Sequence, residues 1–214
     1  MLEEIWRRKK VKSYVIESPS LMTLHLEKKA IRVLGVAESF KKNQASSTLA
    51  GIVMRSDLVL DGMAIEKVVV SGSDSTRATM ELYQRFRRND INGIMISGSV
   101  LSLYNVLDLD LIFEKLKVPV LALSFSKSSA DLARNIRERF SKTIAEKKIR
   151  LLEKLGDSQR IKLETGYDVF VRSAGINENT AKRLLDKFTL QGSSPEPIRV
   201  ARLLAKTIAP FQNA

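Results

Sequence analysis

Near residue 72 the hydrophobic pattern of this chain changes period, and that switch bounds its fold more tightly than any other feature. Before it, β-branched and apolar runs at 32–37, 49–55 and 64–70 are joined by short polar stretches, with a turn around Leu60-Asp61-Gly62. Strands so closely connected pair as an antiparallel meander. After it, helical and strand periods alternate. Ser73 or Asp74 can cap a helix whose Thr79, Leu82, Tyr83 and Phe86 share a face, and Ile91 to Ile96 then forms a fourth strand. Asn105 to Lys117 reads as a second helix and Val118 to Ser124 as a fifth strand. One long basic helix follows, capped by Ser129 and carrying Leu132, Ile136, Phe140 and Ile144. Alternation of this kind implies right-handed crossovers, with the first, fourth and fifth strands parallel. The expected core is a mixed α/β sheet of order β-β-β-α-β-α-β-α.

The C-terminal part is expected to add two short strands, 161–163 and 168–172, paired with each other. Helices at 179–188 and 198–208 follow, separated by Gly192-Ser193-Ser194-Pro195 and packed on the same sheet. Residues 1–29 read as an N-terminal extension, in which 1–12 can form a short basic helix, and residues 30–214 as a single domain. The N-terminus has acids first and no apolar core segment, so no signal peptide is visible and a cytoplasmic location is expected. The apolar runs are too short to span a bilayer, so no membrane partner is expected.

Composition narrows the chemistry. The chain has no cysteine and one histidine, His25, which excludes disulfides, thiolate metal sites and thiol catalysis, and leaves no material for a His-based triad. Carboxylate, hydroxyl or lysine chemistry remains, or binding without chemistry. The formal charge is +12. Residues 30–126 are nearly balanced, with 11 basic against 10 acidic side chains, whereas residues 127–214 carry 18 against 10. Basic helices of that kind suit a polyanion, DNA or RNA, and equally describe a solvated Lys/Glu-rich surface.

Ligands of open α/β sheets bind at the C-terminal ends of the parallel strands. Those ends here are rich in serine and glycine: Ser97-Gly98-Ser99 and Ser124 to Ser129, with Ser71-Gly72-Ser73-Asp74 after the third strand. Backbone N–H groups and hydroxyls in such loops suit a phosphate, and helix capping explains them equally well. Ser73, Ser97, Ser99 and Lys127 are the candidate phosphate or nucleic-acid contacts. No dinucleotide or P-loop glycine motif is present. For carboxylate chemistry the candidates are Glu38, Asp61 and Asp74. Glu38 and Asp74 could approach one another and hold Mg²⁺, which tolerates several waters. Asp108 and Asp110 read as exposed structural acids.

Several of these segments resemble one family. Arg32-Val33-Leu34-Gly35-Val36-Ala37-Glu38-Ser39-Phe40, Leu60-Asp61-Gly62, Ser71 to Thr76, Asn105 to Asp108, Pro119 to Leu121 and, most specifically, Gly192-Ser193-Ser194-Pro195-Glu196-Pro197-Ile198-Arg199-Val200-Ala201 look like the archaeal domain-of-unknown-function family numbered ninety-nine. The resemblance covers most of residues 31–209. That family is similar to endonuclease V, which implies a ribonuclease H-like fold and metal-dependent phosphodiester cleavage. The resemblance further implies acids at the positions of Ala37 and Ser97 and near Asp74. This chain keeps Asp74 and has Glu38 one residue along. One residue on a strand reverses the face, so Glu38 replaces the missing acid only if the strand ends in a bulge or turn. Glu38 and Asp74 are thus the expected catalytic and metal-binding pair, with Mg²⁺ the cofactor if the chain is active and none otherwise. The expected function is that of an endonuclease V-like nucleic-acid-binding protein with a degenerate phosphodiesterase site. The alternative is a non-catalytic nucleotide-binding, small-molecule-binding or interaction protein.

Overall fold

The computed structural model describes residues 24, 26–27, 30–40, 44–126 and 131–211. The readings for residues 1–12, His25, Lys127 and the Ser129 cap lie outside them. The meander forms as the pattern requires. β1 (Arg32–Ser39), β2 (Ser46–Arg55) and β3 (Leu60–Val69) pair antiparallel in succession. Helix α1 (Ser75–Arg85) leads to β4 (Ile91–Ser97), which lies parallel to β1. A two-stranded hairpin follows, β5 (Val100–Leu101) with β6 (Asn105–Val106). Helix α2 (Leu109–Leu116) then leads to β7 (Val120–Ser124), parallel to β4.

The remaining elements are α3 (Leu132–Arg139), α4 (Lys142–Leu155), β8 (Gln159–Lys162), β9 (Asp168–Ala174), α5 (Glu178–Phe188) and α6 (Glu196–Ile208). β8 pairs with β9 as expected, and β9 also pairs antiparallel with β7. The tail therefore extends the main sheet, in the order β3-β2-β1-β4-β7-β9-β8. No helix among the described residues is long and apolar enough to cross a membrane.

Because side chains alternate along a strand, the sheet carries a separate core on each face. Leu34, Val36, Ile94 and Ile96 point toward α1, α2 and the hairpin, packing with Leu82, Leu101, Leu107 and Ile112. Val33, Ala37, Met95, Leu121 and Leu123 point the other way, onto Leu184, Phe188, Ile198 and Ala201 of α5 and α6. Pro197 in the first turn of α6 fits there because no backbone donor is lost. Its close approach explains Gly35: a Cβ at that position would lie 2.3 Å from the Pro197 carbonyl carbon.

Two helix readings need correction. The second helix begins at Leu109, not Asn105. The Asp108 side chain caps it by accepting from Leu111 N at 3.0 Å, and Asn105–Val106 is strand. The long basic helix is broken after Arg139. Phe140 adopts an extended backbone that sets its ring edge-on to Tyr104, with centroids 6.0 Å apart, and Ser141 then starts α4. Serine, with its taste for extended N-cap geometry, favours that restart.

Candidate functional site

The C-terminal ends of β1, β4 and β7 form the rim where the candidate residues were expected, and the sheet divides that rim in two. β1 pairs with β2 without a register shift through Ala37, Glu38 and Ser39. Ala37 thus faces α6 and is buried there, while Glu38 faces the hairpin. The bulge that would have turned Glu38 toward the position of Ala37 does not occur.

On the hairpin side every candidate acid is engaged. Glu38 accepts from Ser47 Oγ at 3.0 Å and from Ser102 N at 2.7 Å, and also from the Ser102 hydroxyl. Asp74 Oδ1 accepts from Asn105 Nδ2 at 2.7 Å, and the carboxylate lies 3.3 Å from Val69 N and 3.4 Å from Arg77 Nη2. Both acids are thus tied to one hairpin, Glu38 through Ser102 and Asp74 through Asn105. The hairpin turns on three consecutive non-glycine residues with positive φ, Ser102 at 41°, Leu103 at 53° and Tyr104 at 63°. Single left-handed residues without glycine are already uncommon, and a run of them persists only where the surroundings over-determine it.

A lysine completes this cluster. Lys148 on α4 is 2% exposed and donates to the carbonyls of Gly72 and Tyr104, the latter at 2.9 Å. Its ammonium lies 4.8 Å over the Phe140 ring. Burial pushes its pKa below the usual lysine value, opposed by the negative charge of Asp74. The Ser/Gly loop after β3 is closed in the same way. Ser71 N donates to Ser102 O at 2.6 Å, Ser75 N to Asn105 Oδ1 at 3.0 Å, and the Ser75 hydroxyl to Asn105 O and Val106 O. Ser73 stands exposed beside it. The Ser71, Gly72 and Ser75 donors of this loop are spent inside the protein, and Ser73 alone keeps an exposed hydroxyl.

On the α6 side the rim is different. Ser97, half-buried at the end of β4, accepts from Arg202 Nη2 at 3.0 Å. The guanidinium lies 5.3 Å over the ring of Phe125, just past the end of β7. Among the described residues Arg202 has no carboxylate partner. Arg199, three residues earlier on α6, contrasts with it by pairing with the buried Glu196 at 2.6 Å. Ser99 belongs to neither cluster; it accepts from Arg172 Nη1 at 3.3 Å beside the end of α4, where Arg172 Nε also meets Gly156 O at 2.9 Å.

Asp61 lies away from the rim, at the opposite end of β1. Arg32 Nε donates to it at 2.5 Å and Arg88 Nη2 at 3.0 Å, and those two bonds hold its carboxyl below the usual aspartate value. Asp108 pairs with Lys154 at 2.7 Å, in keeping with a structural role. Among the described residues no three His, Asp or Glu side chains converge as metal ligands would. Sequence reasoning missed Arg202, Arg172 and Lys148, which read only as parts of basic helix faces or strands. The single signal pointing to Arg202 was its place immediately after the Gly192 to Ala201 motif segment.

Comparison with known proteins agrees with this architecture. The sequence profile of a family described as Endonuclease dU matches residues 29–209. A UPF0215 protein of Pyrobaculum calidifontis is 31% identical over 178 residues, covering 83% of this chain and 97% of that protein. A UPF0215 protein of Thermoplasma volcanium is 28% identical, covering 87% and 94%. Among solved structures, a protein of unknown function from Archaeoglobus fulgidus superposes with a TM-score of 0.71 at 22% identity, covering 83% of this chain and 98% of that one. Endonuclease V of Ciona intestinalis, in complex with a 23mer DNA containing an inosine, superposes with a TM-score of 0.58 at 15% identity, covering 87% and 88%. At those identities the likeness is one of fold, and it is the ribonuclease H-like fold.

Proposed function

The chain belongs to the endonuclease dU family, also named UPF0215, and from that premise we propose that it binds nucleic acid on an endonuclease V-like fold without a competent metal site. One observation carries the reading. The rim residues of β1 and β4 that face α6 are Ala37 and Ser97, and the nearest charged group to Ser97 is a guanidinium rather than a carboxylate. Such a donor set does not fit a divalent cation, which takes oxygen ligands and is repelled by fixed positive charge. Glu38 does not compensate, because the unbroken β1–β2 ladder holds it on the other face among serine donors.

Nucleic acid is the favoured partner on two further grounds. Residues 127–214 carry most of the chain's basic excess, and two of those side chains, Arg202 and Arg172, reach the serines at and just past the end of β4. The similar Ciona endonuclease V is in complex with a 23mer DNA containing an inosine followed by a ribo-adenosine. The names of the relatives suggest the substrates to try first. Single-turnover assays with DNA and RNA carrying deoxyuridine or inosine, in Mg²⁺ and in Mn²⁺, should give no cleavage, while the same oligonucleotides bind with steep salt dependence. Metal-dependent cleavage lost in Asp74→Ala would overturn the degenerate-site reading. Failure to bind either polymer at low salt would remove the nucleic-acid reading.

A further inference from the structure

We propose that Arg202, Ser97 and Phe125 form a phosphodiester-binding site that works without metal, the guanidinium supplying the positive charge at the ends of β1 and β4. This rests on the nucleic-acid reading above and specifies which atoms meet the backbone.

The chemistry of the three side chains fits an oxyanion on each count. Arg202 uses one N–H toward Ser97 Oγ at 3.0 Å and keeps its other donors for a phosphate, which a planar guanidinium can grip in a bidentate manner. Ser97 accepts that bond, so its own hydroxyl proton is free to point outward to a second phosphate oxygen. The Phe125 ring under the guanidinium fixes its plane without competing for a donor. Ala37, beside them on the same face, carries no oxygen that would repel an anion.

The charge on Arg202 is also uncommitted, unlike that of Arg199 three residues earlier on the same helix, which pairs with Glu196 at 2.6 Å. A half-buried arginine without such a partner, resting on a hydroxyl and an aromatic ring, is held ready for an external anion. The geometry also lowers the ordering cost of binding, since helix α6, the ring and the serine already fix the side chain.

The test is fluorescence anisotropy with labelled single-stranded and duplex DNA and RNA, in EDTA and in Mg²⁺, across a salt series. Wild type should bind equally well with and without the metal. Arg202→Gln should weaken binding roughly tenfold or more and lower the slope of log affinity against log salt by about one. A merely structural arginine would leave that slope unchanged. Ser97→Asp places a carboxylate against Arg202 and should mimic the loss, which keeps the idea testable if Arg202→Gln fails to fold. Binding that needs Mg²⁺, or that survives in both variants with the slope intact, overturns the proposed site while leaving the nucleic-acid reading standing. Wild type that binds neither polymer overturns both.

Discussion

The two sides of the strand-end rim use the same residue types to opposite ends. On the hairpin side two carboxylates, three serines, an asparagine and a buried lysine are bonded to one another and to the backbone around them. On the α6 side one serine and one arginine leave donors unspent and charge uncompensated. Acids and lysine, the residues that look chemical in a sequence, are here the structural set. The serine and arginine, which look like surface, are the set with capacity to bind. Candidate chemistry is therefore better read from unspent hydrogen-bonding capacity than from residue type.

The comparison makes separable predictions. Gly35→Ala should disturb most, because its Cβ would strike the backbone of Pro197 and push α6 off the sheet. A loss of about 3 kcal/mol is expected in urea unfolding, together with weakened nucleic-acid binding, since Arg202 rides on the displaced helix. Glu38→Ala comes next. It removes the acceptor of Ser102 N and leaves one proton unpaired between the mutually bonded hydroxyls of Ser47 and Ser102, each 1% exposed, at a cost of about 2 kcal/mol and with oligonucleotide affinity unchanged. If affinity instead fell tenfold in a folded Glu38→Ala protein, the division between the two sides would be broken.

Lys148→Met should cost about 1 to 2 kcal/mol by stranding the carbonyls of Gly72 and Tyr104, again without effect on binding. Ser97→Ala should do the reverse, moving stability by less than about 0.5 kcal/mol while weakening oligonucleotide binding a few-fold. The smallest effect is expected at the far end of the sheet. Hydrogen bonds from Arg32 and Arg88 hold Asp61 below its usual value of 3.8, and Arg88 does the same for Asp90. Their contribution is fully present above about pH 4 and is lost as pH falls through the lowered values. The urea midpoint of Asp61→Asn should accordingly differ from wild type at neutral pH and converge on it only as pH falls below 3.8 and through the lowered value.

Much of the fold was legible because it rests on periodicity. The period-two runs before residue 72 gave the antiparallel meander, and the alternation after it gave the parallel β1, β4 and β7. The hairpin was not legible. Its strands are two residues long, too short to show a period, and its turn uses Ser102, Leu103 and Tyr104 where glycine or asparagine would have signalled one. The candidate site was half legible. Ser97 was found from its strand end, and Glu38 and Asp74 from their charge. That the acids face a cage of donors, and that Arg202 reaches Ser97 across 105 residues, are consequences of packing that no local pattern carries.

The seat of α6 on β1 and β2 also sets an order of events in synthesis. β1 and β2 are made well over a hundred residues before α6, the helix that seats on their Val33, Gly35 and Ala37 side. Until Pro197 and Ile198 emerge, that apolar face lacks the cover of α6, so the nascent chain carries an incompletely roofed sheet throughout the interval. Closure by so distant a contact is slow in topological terms, and the waiting intermediate exposes the kind of surface on which chaperones act.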